Sequence, residues 1–409
     1  MFHCFHAADI LIPQHISMTK WSCVACDQFS SQPEYWKRVD DFVGDAPSTL
    51  RLIYPEALLN EAEYDARIAA IHERMDEYLN AGIFRTFRRS FIYVNRRLPG
   101  GIVREGLVGQ IDLEAYDYHP EAHAEIRATE ATVQERIPPR MKLLDGAALE
   151  FPHVLLLCDD SRDVIMRTAR QAGGEKIYDF DLMENGGHIT GSVIQGIGVS
   201  LINAAIGNYI SAVKENSGDF GSMSFAVGDG NHSLASAKAC WEKLKPTLSK
   251  EESIYHPARF ALVELENIHS DAITFEPIHR LLTGVNREHF IKALRSISAS
   301  DGYPIRLLSC DYEETIYLPK EESPLAVAIL QPFLDDYLRE NGGSIDYIHG
   351  EEPLRQLASQ PDSIGILLRG MDKSSLFPGV LQGGVLPRKT FSMGEANEKR
   401  YYLEGKMRR

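Results

Sequence analysis

Apolar residues recur at helical spacing along residues 59–81, where Ile68, Ile71, Met75, Tyr78 and Leu79 share one face and Gly82 supplies a stop. That spacing predicts an amphipathic helix whose apolar stripe is core. Short apolar runs at 91–95 and 102–107 predict two strands, with Arg96 and Arg97 in a solvated, turn-rich connection of residues 96–101. Further strands are predicted at 154–158, 188–194 and 259–265, and helices at 162–172 and 199–214. This alternation predicts an α/β to α+β core over residues 1–284. The pattern then restarts with a helix at 287–297, strands near Ile305 and Ile316, a helix at 326–340 and a break at Gly342-Gly343. Strand-like runs at 347–348, 364–368 and 401–403 complete an α+β C-terminal lobe, expected over 285–409.

Within the core pattern, residues 223–238 read as a buried strand, a two-glycine turn and an Ala-rich helix. The turn carries Gly228, Asp229, Gly230, Asn231, His232 and Ser233. A helix that opens directly after glycine leaves its first N–H groups without intrahelical partners, and such groups attract anions. Gly230 lets backbone approach a ligand closely, while His232 can carry a proton or contact a phosphate. The Lys-Ser/Thr pair and spacing of a Walker loop are absent, which disfavours an ordinary P-loop. In the alternative reading Asp229 or Asn231 merely caps the helix.

Composition narrows the partner class. The 409 residues are 44% hydrophobic and 25% charged, as expected of a globular chain with room for two domains. A formal net charge of −15 disfavours nucleic acid and anionic membranes and favours a small-molecule partner. No run has the length of a membrane span, and the first nine residues lack a basic segment followed by an apolar secretion core. The expected location is cytoplasmic. Six cysteines are scattered without a disulfide rhythm, and only Cys23 and Cys26 have the spacing of half a zinc site or a redox couple, with His3, Cys4 and His6 available to complete a metal site. The other reading of these residues is packing.

Four other segments carry chemistry. Arg127, Glu130, Thr132, Glu135, Arg136 and Arg140 combine acid, hydroxyl and guanidinium groups suited to a phosphate clamp, or else form an ordinary helix face ended by Pro138-Pro139. His279-Arg280 follows a β-prone run, and Arg388-Lys389 lies near the C-terminus. Asp27, beside the cysteine pair, can orient a substrate or cap a turn.

In this order, the segments resemble the bacterial and archaeal family called domain of unknown function 1015. The family hallmark Asp-Gly-His-His-Arg stands here as Asp229-Gly230-Asn231-His232-Ser233. The likeness continues through Cys26-Asp27, Gly106-Leu107-Val108-Gly109, residues 127–132, Pro277-Ile278-His279-Arg280 and Pro387-Arg388-Lys389-Thr390. It spans nearly the whole chain. The turn is also similar to the phosphate-binding turn of the wider ParB/sulfiredoxin group, which includes free-serine kinases and CTP-hydrolysing ParB proteins. That resemblance implies a ParB/sulfiredoxin-like mixed core, elaborated by extra strands and helices, with a nucleotide phosphate against residues 228–233. Ser233 replaces an arginine of the family motif and Asn231 a histidine, so a fixed charge must come from Lys389, Arg280 or Arg127.

The expected activity is nucleotide-dependent phosphoryl transfer to a small hydroxylated metabolite, or nucleotide hydrolysis. Gly228, Gly230, Asn231, Ser233, Arg127, Thr132, Arg280 and Lys389 would hold a nucleoside di- or triphosphate. His232 would contact the phosphoryl group, Asp229 or Glu130 would act as base, and Asp27 and His279 would meet the substrate. Asp229 admits Mg²⁺ without any metal-binding spacing that demands it. A non-catalytic nucleotide sensor and a zinc or redox protein at Cys23 and Cys26 are the alternatives. A homo-oligomer is compatible with all three.

Overall fold

The computed structural model describes residues 3–30, 32–59, 61–132, 137–218, 221–320 and 325–409. Glu135 and Arg136, named in the phosphate-clamp reading, lie outside them. The chain divides into two units: Met1–Ala128, Thr132–Ile273 and Glu395–Arg409 form the first, and Thr129–Ala131 with Thr274–Gly394 form the second.

The first unit is built on a mixed sheet of eleven strands. Its order is Tyr116–Asp117, Ile126–Ala128, Phe225–Asp229, Leu155–Cys158, Phe260–Asn267, Val103–Asp112, Phe84–Arg97, His188–Ile194 and Glu175–Asp181. Phe5–His6 adds to Val103–Asp112, and Ala8–Pro13 adds to Phe84–Arg97. Strand Leu155–Cys158 is apolar throughout because both faces are covered; Leu155, Leu156, Leu157 and Cys158 are all fully buried. Periodicity found the helix Tyr64–Asn80, which buries Ile68, Ile71, Met75 and Tyr78, although short 3₁₀ turns replace its expected first residues.

The second unit carries a six-stranded sheet in the order Tyr312–Leu318, Tyr303–Ser309, Ser363–Leu367, Phe275–Thr283 and Ser344–His349, with Phe391–Met393 on the first half of Phe275–Thr283. The helices Arg287–Ser296 and Ala326–Asn341 fall where apolar spacing predicts them.

Three expectations are corrected. The division falls at Thr274 rather than 285, because strand Phe275–Thr283 pairs with Ser344–His349 and Ser363–Leu367 of the second sheet. Residues 401–403 are no strand of that lobe: Tyr401, Tyr402 and Leu403 pack in the first unit's core with Trp21 and Leu11. Arg96 is likewise no solvated loop residue. It is 2% exposed and lies opposite Arg104 in the hairpin Phe84–Arg97/Val103–Asp112.

Candidate active site at the Gly230 turn

Strand Phe225–Asp229 ends where the sequence places it, and Asp229 stands at its carboxyl end. The register against Leu155–Cys158 shifts between Val227 and Asp229, so Gly228 is the extra residue of a bulge that re-aims the chain. Gly230 follows with φ +83°, and helix Asn231–Leu244 begins at the next residue. A left-handed conformation suits glycine, and glycine has no side chain with which to cap the helix.

The sheet brings other groups to this end. Asp229 pairs with Leu155, Leu155 with Glu264, and Glu264 with Val108, so these positions form one row across four strands. His153 lies just ahead of Leu155 and therefore beside the turn. Its Nε2 is 3.4 Å from Ser233 Oγ and 3.9 Å from Asp27 Oδ2, while the Tyr402 hydroxyl is 2.8 Å from Nδ1. Tyr402 also accepts the backbone N–H of Cys26 at 3.2 Å, which fixes the segment carrying Asp27. Burial raises the Asp27 carboxyl, but His153, the Gln28 hydrogen bond, Arg140 and Lys399 outweigh it and bring the group below the usual carboxylate range, to about 2.

A cation reaches Asp229 from the C-terminal segment: Lys399 Nζ is 3.5 Å from Oδ2, and the Lys399 side chain is only 6% exposed. Oδ2 is buried with no hydrogen-bond partner among the described residues. Arginines hold this segment in place. Arg96 donates to the carbonyls of Asn397, Glu398 and Lys399, and Arg104 donates to that of Glu398. Like charges paired across a hairpin repel. Here both cations find backbone carbonyls, and Arg104 also lies 3.0 Å from Glu266. Arg400 donates to Glu264, Glu404 and the Pro152 carbonyl, which ties residues 399–400 to His153's neighbour. Gly106 leaves room for Glu264, since a Cβ there would stand 2.1 Å from its Oε1.

The remaining sequence candidates sort by unit. Arg127 is 4% exposed and donates to the carbonyls of Ala124 and Ser222, while Thr132 Oγ1 is buried. In the second unit Glu130 accepts the Thr390 N–H at 3.1 Å, and burial raises its carboxyl despite Lys389 and the surrounding N–H groups. Lys389 takes a left-handed φ of +56°. Arg280 is fully buried, stacks on Tyr347 and donates to Gln331 and the carbonyls of Ile278 and Arg388. His279 accepts the Leu368 N–H, and burial lowers its imidazole to about 4. The donors of Arg127 and Arg280 are thus committed to backbone and side-chain oxygens rather than presented to a phosphate. Lys399, His153 and Tyr402 were missed. Lys399-Arg400 immediately before an apolar Tyr-Tyr-Leu run was the available signal of buried charge.

The cysteine pair shows no metal chemistry. Cys23 Sγ lies 3.2 Å from Thr49 Oγ1, and burial pushes the thiols of Cys23 and Cys26 up to about 12. His6 contacts Gln110, and among the described residues no group of three His, Cys, Asp or Glu is gathered to hold a metal.

The family described as protein of unknown function, DUF1015, matches residues 10–372. The chain belongs to this family. No curated protein matches this family member. Among solved structures it is similar to SbnI with a C-terminal truncation from Staphylococcus aureus, at 9% identity over 70% of this chain and 82% of that one, TM-score 0.39. It is similar to a free serine kinase in complex with AMP, at 12% identity over 72% and 90%, TM-score 0.40. A conserved hypothetical protein from Pyrococcus furiosus is 11% identical over 73% and 93%, TM-score 0.37. Among the described residues no helix is long and apolar enough to cross a membrane.

Proposed function

We propose that this DUF1015 protein is a cytoplasmic nucleotide-dependent phosphotransferase or nucleotide hydrolase that acts on a small hydroxylated metabolite at the turn 228–233. The observation that carries the reading is the pairing of a helix N-terminus whose cap residue is Gly230 with Lys399 at Asp229. Lys399 supplies the charge that Ser233 cannot. Backbone N–H groups of the turn hold the phosphate, and His232 contacts the transferred group. The acceptor oxygen attacks the terminal phosphorus, its proton passes to Asp229, and the bond to the nucleotide's bridging oxygen breaks, leaving the electron pair on the departing phosphate beside Lys399. With water as acceptor the same step is hydrolysis. Asp229 is also the hard oxygen donor that a magnesium ion carried by the nucleotide would share, to neutralise phosphate charge.

Binding without turnover is the second reading, favoured by the commitment of Arg127 and Arg280 to internal acceptors. Calorimetric titration with nucleoside mono-, di- and triphosphates, run beside phosphate release, separates the two. Lys399→Met should weaken nucleotide binding about ten- to a hundredfold, the worth of a charge-assisted contact. Asp229→Asn should preserve binding and lower turnover by about 10²-fold or more. Tight binding with no turnover, even with pooled hydroxylated metabolites, selects the sensor. Failure of the wild-type protein to bind any nucleotide sinks both.

A further inference from the structure

Behind the turn lies a cavity of about 90 Å³. Its walls are apolar: Leu143, Leu149, Phe151, Leu234, Ala237 and Ala261 contribute, from both the sheet and the helix that the turn opens. One part is polar, formed by Ser233, His153 and Tyr402. The charged residues on its wall are neutralised: Arg140 is ion-paired with Glu56, and Glu150 with Arg408 and Lys406. A charged ligand would find no unpaired counter-ion there, and burying an unpaired charge is costly.

We infer that this cavity receives the body of the hydroxylated substrate, and that the body is a short, uncharged aliphatic chain whose hydroxyl reaches Ser233 and His153. The inference rests on the reading of the turn as a phosphate site. Three features argue for it. Apart from the paired Arg140 and Glu150, and from Cys26, Tyr402 and Ser236, whose hydroxyl donates to the His232 carbonyl, the lining is apolar except where Ser233 Oγ and His153 Nε2 contact one another at 3.4 Å, a long contact that a substrate hydroxyl can replace by accepting from either, which leaves its own proton for Asp229. Ser233 belongs to the same turn as Gly230, and His153 stands beside it, so a hydroxyl anchored there lies beside the phosphate. The volume sets the length: an apolar cavity of about 150 Å³ holds the six carbons of benzene, so about 90 Å³ holds roughly four. Asp27, held ionised, lies 3.9 Å from His153 Nε2 and outside the apolar wall, and the Tyr402 hydroxyl, 2.8 Å from Nδ1, orients the imidazole.

The probes are straight-chain primary alcohols from ethanol to 1-octanol, titrated into the full-length protein and followed by line-shape changes in NMR, with and without nucleotide. Affinity should rise about fourfold for each added methylene while the cavity fills. It should peak near four carbons and fall beyond. Ala237→Leu fills the cavity and should move the optimum to one or two carbons, with nucleotide binding unchanged. Ala237→Val makes the same test with a smaller intrusion should the leucine variant not fold. An affinity that climbs through eight carbons, or an optimum unmoved in the variant that folds, overturns the proposal. Nucleotide binding decides the underlying reading separately: if nucleotide binds and the alcohols do not, the cavity assignment fails alone. If the alcohols show the four-carbon optimum and nucleotide does not bind, the cavity stands and the phosphate reading falls.

Discussion

Replacement of Gly230 by alanine tests the geometry of the turn most directly. Gly230 has φ +83°, and a Cβ built on it would stand 3.1 Å from both Cα and Cγ2 of Val154 and 3.5 Å from Cδ2 of His153. The left-handed conformation alone costs an L-residue about 1–2 kcal/mol. Overpacking against Val154, its backbone included, adds about 1–3 kcal/mol. Gly146 provides the control, since it belongs to the same unit, has φ +77° and has nothing within 4 Å of its Cβ position. For a unit of this size 1 kcal/mol moves the thermal midpoint by about 2 °C. Gly146→Ala should therefore lower the first unit's midpoint by about 2–4 °C, and Gly230→Ala by about 2–6 °C more, measured by calorimetry under identical conditions. Gly230→Ala should also displace the first-turn N–H groups and weaken nucleotide binding, which Gly146→Ala leaves intact. Equal midpoint losses in the two variants would refute the steric argument. Unchanged nucleotide affinity in a folded Gly230→Ala protein would remove the turn from the site.

Two further outcomes follow from the titrating groups. The folded-state Asp27 carboxyl lies near 2, below its ordinary 3.8, so its stabilising contribution is complete above about pH 4 and disappears as pH falls through 2. Because the side chain is 28% exposed, that contribution is at most about 2 kcal/mol. The thermal midpoints of wild type and Asp27→Asn should differ at pH 5 and converge by pH 2, and a gap that stays constant would contradict the linkage. Iodoacetamide at pH 8 should label exposed Cys310 first, with Cys23 and Cys26 reacting only on unfolding, because burial raises both thiols to about 12. Rapid labelling of Cys26 in the native protein, read by peptide mass spectrometry, would revive a redox role.

Local pattern made most elements legible. The helix Tyr64–Asn80 and the strand-turn-helix around Gly230 each concentrate their signal in adjacent residues, by apolar spacing in one and by glycines at a strand end in the other. Domain membership was less legible. The chain restarts its pattern after residue 284, yet whether Phe275–Thr283 closes one sheet or opens another depends on partners found at residues 344–349 and 363–367. Exposure of charge was the weakest reading. Arg96 stands in a run that looks like a turn, and the carbonyls of Gly186 and of residues 397–399, distant in sequence, show why it is buried.

The sequence by itself determined the alternating α+β elements, the absence of a Walker loop, the family resemblance and the turn 228–233, because each is encoded within a short window or an ordered set of windows. It also shows Ser233 where the family motif has arginine, so that any fixed positive charge at the turn comes from elsewhere in the chain. Only the tertiary structure shows which basic groups stand near it. Arg280 and Arg127 donate to internal oxygens, while Lys399, held by three arginines, stands beside Asp229. Side-chain type records which interactions a residue can make, but the fold chooses among them, because a buried arginine must satisfy its donors with whatever oxygens the packing brings within reach.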